Sequence, residues 1–114
     1  MSERDAKLYV EDIRDAINKI EDYVKDLDFN TFAKDEKTID AVVRNISIIG
    51  EAVKNLPEEL KLEYPQIPWK EIAGTRNKTI HEYFGIDEEI LWKTIEEDLP
   101  LFKKQIAEIL IKYC

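Results

Sequence analysis

Residues 39–56 read IDAVVRNISIIGEAVKNL, and the spacing of their apolar side chains decides the fold class. The apolar positions fall three and four residues apart, which is the period of an amphipathic α-helix that buries one face. They are Ile39, Val42, Val43, Ile46, Ile49, Val53 and Leu56. We expect Thr38 to cap this helix and Pro57 to end it.

The same period is present on the N-terminal side of this stretch. An apolar stripe runs from residue 8 to residue 27, with acidic and basic residues between its members. Ser2 is the expected N-cap, because acidic residues follow it in the first turn. The chain is expected to break at residues 26–31, where Asn30 or Thr31 would cap a short further turn.

The period also continues toward the C-terminus. A short helical turn is predicted over residues 58–64, and a third helical segment is predicted from Pro68 to a stop at Gly85. Asp87 is expected to cap a last helix, in which Pro100 should cause a kink or a division. No stretch has the alternation of a strand, so the pattern predicts an all-α antiparallel bundle of four or five helices.

Length and composition are consistent with this fold class. A chain of 114 residues is expected to form a single domain over residues 1–114. A content of 44% hydrophobic and 37% charged residues excludes an acidic disordered tail, and only 3 Gly and 4 Pro argue against a turn-rich β-sandwich. The lone Cys114 excludes an internal disulfide and a cysteine-based zinc site.

The charge and the hydropathy of the chain limit the partners and the cellular compartment that we expect for it. The formal net charge of −8 argues against a large basic face that binds nucleic acid non-specifically, although it permits a small basic site. No apolar run is long enough to span a bilayer, and the N-terminal residues do not resemble a signal peptide. We therefore expect a cytoplasmic protein without membrane contact.

One segment departs from the helical pattern. Residues 74–84, GTRNKTIHEYF, are rich in the poor helix formers Gly, Thr and Asn. The segment also combines Arg76 and Lys78 with His81, the sole histidine of an acidic chain. A basic segment that carries the one side chain titrating near neutral pH is a candidate for chemistry. The alternative is that His81 is an ordinary structural residue.

Helical spacing predicts which of these side chains share a helix face, but it does not bring all of them together. Because each residue of a helix turns by about 100°, Arg76 and Tyr83 would share one face, and Asn77 and His81 an adjacent one. Arg76 and His81 would diverge, unless the arginine curls around or the helix is distorted. A two-fold dimer offers another arrangement, since it would gather two arginines and two histidines around one cleft.

A smaller anomaly lies in the second helix. Gly50 interrupts an apolar helix at a cost of about 1 kcal/mol relative to alanine. A tight approach of another helix would justify this glycine. Arg44 and Glu51 are interpreted as a solvated face or an ion pair.

These residues resemble a known family. The stretch 76–83, RNKTIHEY, fits the R-x-x-x-x-H-x-Y motif of HepT-like toxins, which belong to the HEPN superfamily. Three further blocks resemble family blocks in the same order: residues 40–56, residues 67–74 (IPWKEIAG) and residues 98–100 (DLP). The resemblance covers almost the whole chain, and none of the motif positions departs from the family pattern.

The resemblance implies a helical homodimer with facing motif segments and metal-independent cleavage of RNA, with no cofactor. It also implies a partner, an MntA-like nucleotidyltransferase antitoxin that can transfer AMP from ATP to the motif tyrosine, here Tyr83. Arg76 and His81 are the implied catalytic residues, and Asn77, Lys78 and Tyr83 the supporting, substrate-binding ones. No carboxylate cluster with metal-ligand spacing occurs near the motif, so no metal is expected.

The residue types suit this chemistry. His81 fits general acid–base catalysis near neutral pH, and Arg76 fits the binding of phosphate oxygens. Asn77 would orient the imidazole or contact the phosphate, and Tyr83 would bond phosphate or stack on a base. Two alternatives stay open: a non-catalytic HEPN module that binds a nucleotide or a partner, and a purely structural helical dimer.

Overall fold

The computed structural model describes residues 3–75, 80–81 and 85–113. Its first half contains α1 (Glu3–Val24), α2 (Phe29–Lys34), α3 (Glu36–Asn55), α4 (Glu58–Glu63) and α5 (Trp69–Ala73). Two short strands follow, β1 (Ile80–His81) and β2 (Gly85–Ile86). Helix α6 (Glu88–Lys93) then continues through a π-helical turn (Thr94–Asp98) into α7 (Leu99–Tyr113). The predicted all-α class is confirmed.

The core lies where α1 packs against α3 and α7. Most side chains of the predicted stripes of α1 and α3 point into it, whereas Leu8 and Tyr23 of the predicted α1 stripe are exposed. The buried apolar side chains of α7 complete the core. Fully buried members are Val10, Ile13, Ile17, Ile20, Val42, Val53, Ile106 and Ile109. Each such side chain contributes about 1.5–3 kcal/mol by leaving water, so these three helices carry most of the stability.

The short helix α2 packs against α3 and α6. Phe32 of α2 is fully buried, and its ring lies 4.9 Å from the ring of Trp92 in α6. On the outside of the bundle, the Lys103 Nζ of α7 lies 2.7 Å from a carboxylate oxygen of Glu21 near the end of α1. The C-terminal part of α1 therefore lies beside the N-terminal part of α7.

Two aspartates cap the helices that follow the first turn. Asp28 Oδ1 accepts a hydrogen bond from the Thr31 backbone N–H at 2.8 Å. Asp35 Oδ1 accepts from the Thr38 N–H at 3.1 Å, and its Oδ2 accepts from the Thr38 hydroxyl at 2.6 Å. The hydrogen bond from the Thr31 N–H lowers the pKa of Asp28, and those from the Thr38 hydroxyl and N–H lower the pKa of Asp35.

These caps correct the sequence predictions. Thr38 was expected to cap α3, but it lies in the first turn and donates to the true N-cap, Asp35. Likewise Asp28, and not Asn30 or Thr31, caps α2. The apolar stripe marks the buried part of a helix, whereas the cap lies wherever a side chain can accept from the first free N–H groups. The predicted cap Ser2 lies outside the described residues.

The segment after Pro68 differs from the predicted helix. Helix α5 spans only Trp69–Ala73, and the backbone of Ile80–His81 is extended and pairs antiparallel with Gly85–Ile86. The prediction of a helix that includes residues 80–81 is therefore wrong. Tyr83 and Phe84, also predicted in that helix, lie outside the described residues.

The last helix follows the prediction with one refinement. Asp87 caps it, since its Oδ1 accepts from the Ile90 N–H at 3.1 Å. Before Pro100 the helix widens into the π-helical turn, and the Leu99 N–H donates to the Thr94 carbonyl, five residues back. In a regular helix, proline clashes with the carbonyl four residues earlier. The π-helical turn before Pro100 accommodates the proline, and the helix continues beyond it.

Candidate functional site

The motif segment lies between α5 and β2. Arg76, Asn77, Lys78 and Tyr83 lie outside the described residues. For His81, the structure describes the backbone, which lies beside Gly85 in the two-stranded pair. The juxtaposition of the motif side chains therefore stays a prediction, and the described residues establish what holds the N-terminal end of the segment.

Helix α5 holds the N-terminal end. Trp69 is buried, and its Nε1–H donates to the backbone carbonyls of Lys61 and Tyr64, each at 3.2 Å. Its ring also packs edge-on against Phe102 of α7, with ring centroids 6.2 Å apart. These contacts tie α5 to α4 and α7 at once, so the start of the motif segment has a fixed position on the bundle.

The last residues before the motif are also hydrogen-bonded. The Gly74 N–H donates to the carbonyls of Lys70 and Glu71, both at 3.1 Å. The Thr75 hydroxyl donates to the Glu71 carbonyl at 3.1 Å. These hydrogen bonds fix the position of Gly74 and Thr75, the two residues that precede Arg76.

A close helix contact explains Gly50. An added Cβ at this position would lie 3.2 Å from the carbonyl oxygen of Ala73, the last residue of α5. This distance leaves no room for a side chain without a shift of backbone, so the prediction of a tight helix approach at Gly50 is confirmed. The contact connects the middle of α3 to the start of the motif segment.

The other notable residues of α3 have structural or solvent-exposed positions. Asn45 is buried, and its Nδ2 donates to the Ala41 carbonyl at 2.9 Å. Arg44 and Glu51 are exposed, as the interpretation as a solvated face predicts. The carboxylate of Glu51 lies 3.9 Å from Lys54 Nζ, so the ion pair of Glu51 within the described residues is not with Arg44.

A small cavity of about 180 Å³ lies beside the start of the motif. Its floor is apolar and comes from α3 and α7, and its rim carries Glu71, Thr75, Glu97 and Asp98. The sequence did not predict this rim. Glu97 and Asp98 are placed there by the π-helical turn, and Pro100 is the only residue in the sequence that indicates an irregularity of the helix at this point. Three carboxylates repel phosphate, so this cavity is unsuited to RNA.

Two further findings bear on the class of protein. Among residues 3–75, 80–81 and 85–113, no group of three His, Cys, Asp or Glu side chains is arranged to hold a metal ion. In the same part of the chain, no helix combines the length and the apolar character needed to cross a membrane.

Comparison with known proteins places the chain in a family. The ribonuclease HepT-like family matches residues 13–109. The chain is 46% identical over 106 residues to a "Probable ribonuclease HepT" of Thermococcus cleftensis, covering 93% of this chain and 96% of that protein. It is 44% identical over 110 residues to a "Putative RNase" of Methanocaldococcus jannaschii, covering 96% and 91%. No solved structure gives a significant match. The chain belongs to the ribonuclease HepT-like family.

Proposed function

We propose that this chain is a metal-independent endoribonuclease and the toxin of a toxin–antitoxin pair. The observation that carries the proposal is an intact R-x-x-x-x-H-x-Y motif, residues 76–83, in a chain that belongs to a ribonuclease family. The fixed end of α5 supports it, because catalytic side chains need a rigid platform to reach their geometry.

The proposed reaction uses the substrate's own hydroxyl. The 2′-oxygen of the RNA attacks the neighbouring phosphorus, the bond from phosphorus to the 5′-oxygen breaks, and a 2′,3′-cyclic phosphate remains. The 2′-hydroxyl loses its proton to a base and the leaving 5′-oxygen gains one from an acid. His81 is the proposed acid–base group, because imidazole titrates near neutral pH and such transfer contributes about 10²–10⁴-fold.

The negative charge of the reacting phosphate requires cations. Arg76 is the proposed partner, since its planar guanidinium donates two hydrogen bonds to phosphate oxygens as charge builds up. The acidic rim at Glu71, Glu97 and Asp98 makes this role more important, because none of the described residues that line this cavity is a cation that could attract phosphate. We assign Lys78 to the RNA backbone, and Asn77 and Tyr83 to contacts with phosphate, imidazole or base.

A dimer supplies what one chain lacks. Proton removal and proton donation call for two titrating groups, and each chain has a single histidine. We therefore propose a homodimer in which two motif segments face one groove.

The proposed antitoxin is a small MntA-like nucleotidyltransferase that modifies Tyr83. The tyrosine oxygen would attack the α-phosphorus of ATP, pyrophosphate would leave, and the phenolic proton would pass to solvent. The attached AMP would bring phosphate charge and a purine close to Arg76, where the RNA phosphate must bind. Mass spectrometry of the chain after co-expression with the antitoxin should show AMP on Tyr83. If Tyr83→Phe is still fully neutralised, inhibition by complex formation replaces this part of the proposal.

The test of the nuclease is cleavage of a defined single-stranded RNA in EDTA. The wild-type chain should leave 2′,3′-cyclic phosphate ends, and His81→Ala and Arg76→Ala should each lower the rate at least about 100-fold. Lys70→Ala, an exposed change on α5, is the matched control and should retain the rate. All variants should melt as the wild type does. Cleavage that requires an added divalent metal would contradict the mechanism.

The second candidate is a non-catalytic nucleotide- or partner-binding module. The acidic rim of the cavity and the net charge of −8 favour it, because both oppose the approach of long RNA. Under this alternative, the purified chain binds its antitoxin partner but leaves RNA intact under every metal condition.

A further inference from the structure

The cavity beside the start of the motif has an apolar lining that the proposed nuclease does not use. It lies between α3, α5, the π-helical turn and α7, and its volume is about 180 Å³. Four of its apolar side chains belong to the core or pack against it: Ile46, Ile49, Ile72 and Phe102. These contacts hold the lining in place, so the cavity is preformed in the chain itself.

The volume of the cavity limits what can occupy it. Pockets that take a whole small molecule usually measure about 300–1,000 Å³, whereas a cavity of about 150 Å³ accommodates a single benzene ring. The cavity therefore matches one long side chain and is too small for a nucleotide. Leu101, which also lines it, is 60% exposed, so the apolar surface continues outside the cavity.

Three exposed carboxylates stand at the rim of this apolar lining. Glu71 comes from α5, and Glu97 and Asp98 come from the π-helical turn. Within the part of the chain that the structure describes, no cation forms an ion pair with any of them. They are also not arranged as a group that holds a metal ion. The rim therefore suits a cationic group that is larger than a metal ion.

Two hydroxyl groups of the lining offer only lone pairs to an occupant. The Thr75 hydroxyl donates to the Glu71 carbonyl at 3.1 Å, and the hydroxyl of the buried Thr94 donates to the Ile90 carbonyl at 2.9 Å. Because each proton is already engaged, only the oxygen remains to accept a further hydrogen bond. Together with the carboxylates, these groups favour an occupant that has several donors and no acceptor.

An arginine side chain has all of these properties. Its guanidinium is cationic and weakly hydrated, and it carries several N–H donors and no acceptor. Its aliphatic stem packs on apolar surface while the charged head stays near water. The ammonium group of lysine is compact and strongly hydrated, so it fits this arrangement less well.

We propose that this cavity docks an arginine side chain of a different protein. The aliphatic stem lies on the apolar lining, and the guanidinium lies at the rim, between Glu71 on one side and Glu97 and Asp98 on the other. The net charge of −8 attracts a basic partner over a longer range, whereas a second copy carries the same charge. The proposal does not depend on the proposed nuclease, because the same carboxylates repel the phosphates of RNA.

NMR titration with capped dipeptides tests the charge and the shape of the occupant. The probes are N-acetyl-Leu-Arg-methylamide and the same dipeptide with lysine or with citrulline, which has the shape of arginine without its charge. The arginine probe should bind saturably and shift the amide resonances of Ile72, Thr75 and Thr94. The citrulline probe should bind at least about tenfold more weakly and the lysine probe at least about threefold more weakly.

Three results of this titration would overturn the proposal. They are equal binding of the arginine and citrulline probes, shifts confined to another surface of the chain, and the absence of saturable binding.

Removal of the rim charges tests the position of the site. The double variant E71Q/E97Q should weaken binding of the arginine probe at least about tenfold. Glu96→Gln, an exposed change on the same π-helical turn but outside the lining, is the matched control and should bind the probe as the wild type does. All three positions are exposed, so the variants should melt as the wild type does. Wild-type affinity of the double variant would contradict the assignment of the cavity.

Two further measurements identify the source of the arginine. Free arginine carries an α-carboxylate that the rim repels, so it should bind at least about threefold more weakly than the capped dipeptide. Tighter binding of free arginine would assign the cavity to a small molecule. The dipeptide should leave the sedimentation of the chain unchanged, and dissociation of an oligomer by the dipeptide would assign the cavity to a second copy. Either of these results would overturn the choice of a different protein.

Discussion

Replacement of Gly50 by alanine tests the contact between α3 and the start of the motif segment. At an open helix position, this change stabilises a protein by about 1 kcal/mol. At Gly50 the added Cβ lies 3.2 Å from the Ala73 carbonyl oxygen, which is a backbone atom on a helix fixed by Trp69. Overpacking by one methyl group costs about 1–2 kcal/mol. The expected net effect therefore lies between no change and a loss of about 1 kcal/mol.

Chemical denaturation at fixed protein concentration measures this balance. The reference is the pair Asn18→Gly and Asn18→Ala on the exposed face of α1, which should differ by about 1 kcal/mol in favour of alanine. Gly50→Leu carries the test further and should lose about 1–3 kcal/mol or more, because a larger side chain cannot fit without moving α5. Full stabilisation of Gly50→Ala, equal to the reference difference, would refute the close contact.

Three further predictions concern stability. Phe32→Ala should lower the free energy of unfolding by about 3–5 kcal/mol, because it empties a fully buried site against Trp92; a loss under about 1 kcal/mol would contradict the packing. Trp69→Phe should cost about 1–2 kcal/mol in the same assay, because it removes the indole N–H that the Lys61 and Tyr64 carbonyls accept besides their backbone hydrogen bonds; an unchanged denaturation midpoint would argue against the indole bonds. The native pKa of Asp35 lies below its ordinary value of 3.8, so the stability that its carboxylate contributes is present above that pH and is lost as the pH falls through the lower native value. On acidification, the denaturation midpoint of Asp35→Ala should therefore fall less than that of the wild type, and equal acid sensitivity of the two proteins would contradict the cap.

The periodicity of the sequence predicted the buried face of the long helices well. Apart from the exposed Leu8 and Tyr23, the stripes of α1 and α3 fall mostly on buried or partly buried side chains, because burial of one face dictates a period of three and four residues. The start of a helix depends on a different interaction. Asp35 lies outside the apolar stripe and was not singled out, although its side chain accepts two hydrogen bonds from Thr38.

The region around the motif was harder to predict for a physical reason. Gly74, Thr75 and Ile80 favour a helix weakly, so tertiary contacts decide their conformation. Pairing with Gly85–Ile86 is a contact between residues that no local period reveals, and it makes Ile80–His81 extended. Gly50, by contrast, was predictable as a close approach, because a glycine inside an apolar helix needs a neighbour that excludes a Cβ.

The acidic rim of the small cavity illustrates a further limit. Glu71 and Glu97 lie far apart in the sequence, and only the tertiary fold brings α5 and the π-helical turn to the walls of one cavity. Their charge opposes RNA at that cavity, so under our proposal the attraction of the RNA phosphate falls to the motif cations Arg76 and Lys78.

The measurement that tests the central claim most directly compares two RNAs of identical sequence in EDTA. One carries native 2′-hydroxyls, and in the other every 2′-hydroxyl is methylated, so that its oxygen cannot be deprotonated for attack. We expect the wild-type chain to cleave the first RNA and to leave the second intact, and His81→Ala to cleave the first at least about 100-fold more slowly. Cleavage of the methylated RNA, or of the native RNA by His81→Ala at the wild-type rate, would contradict the account.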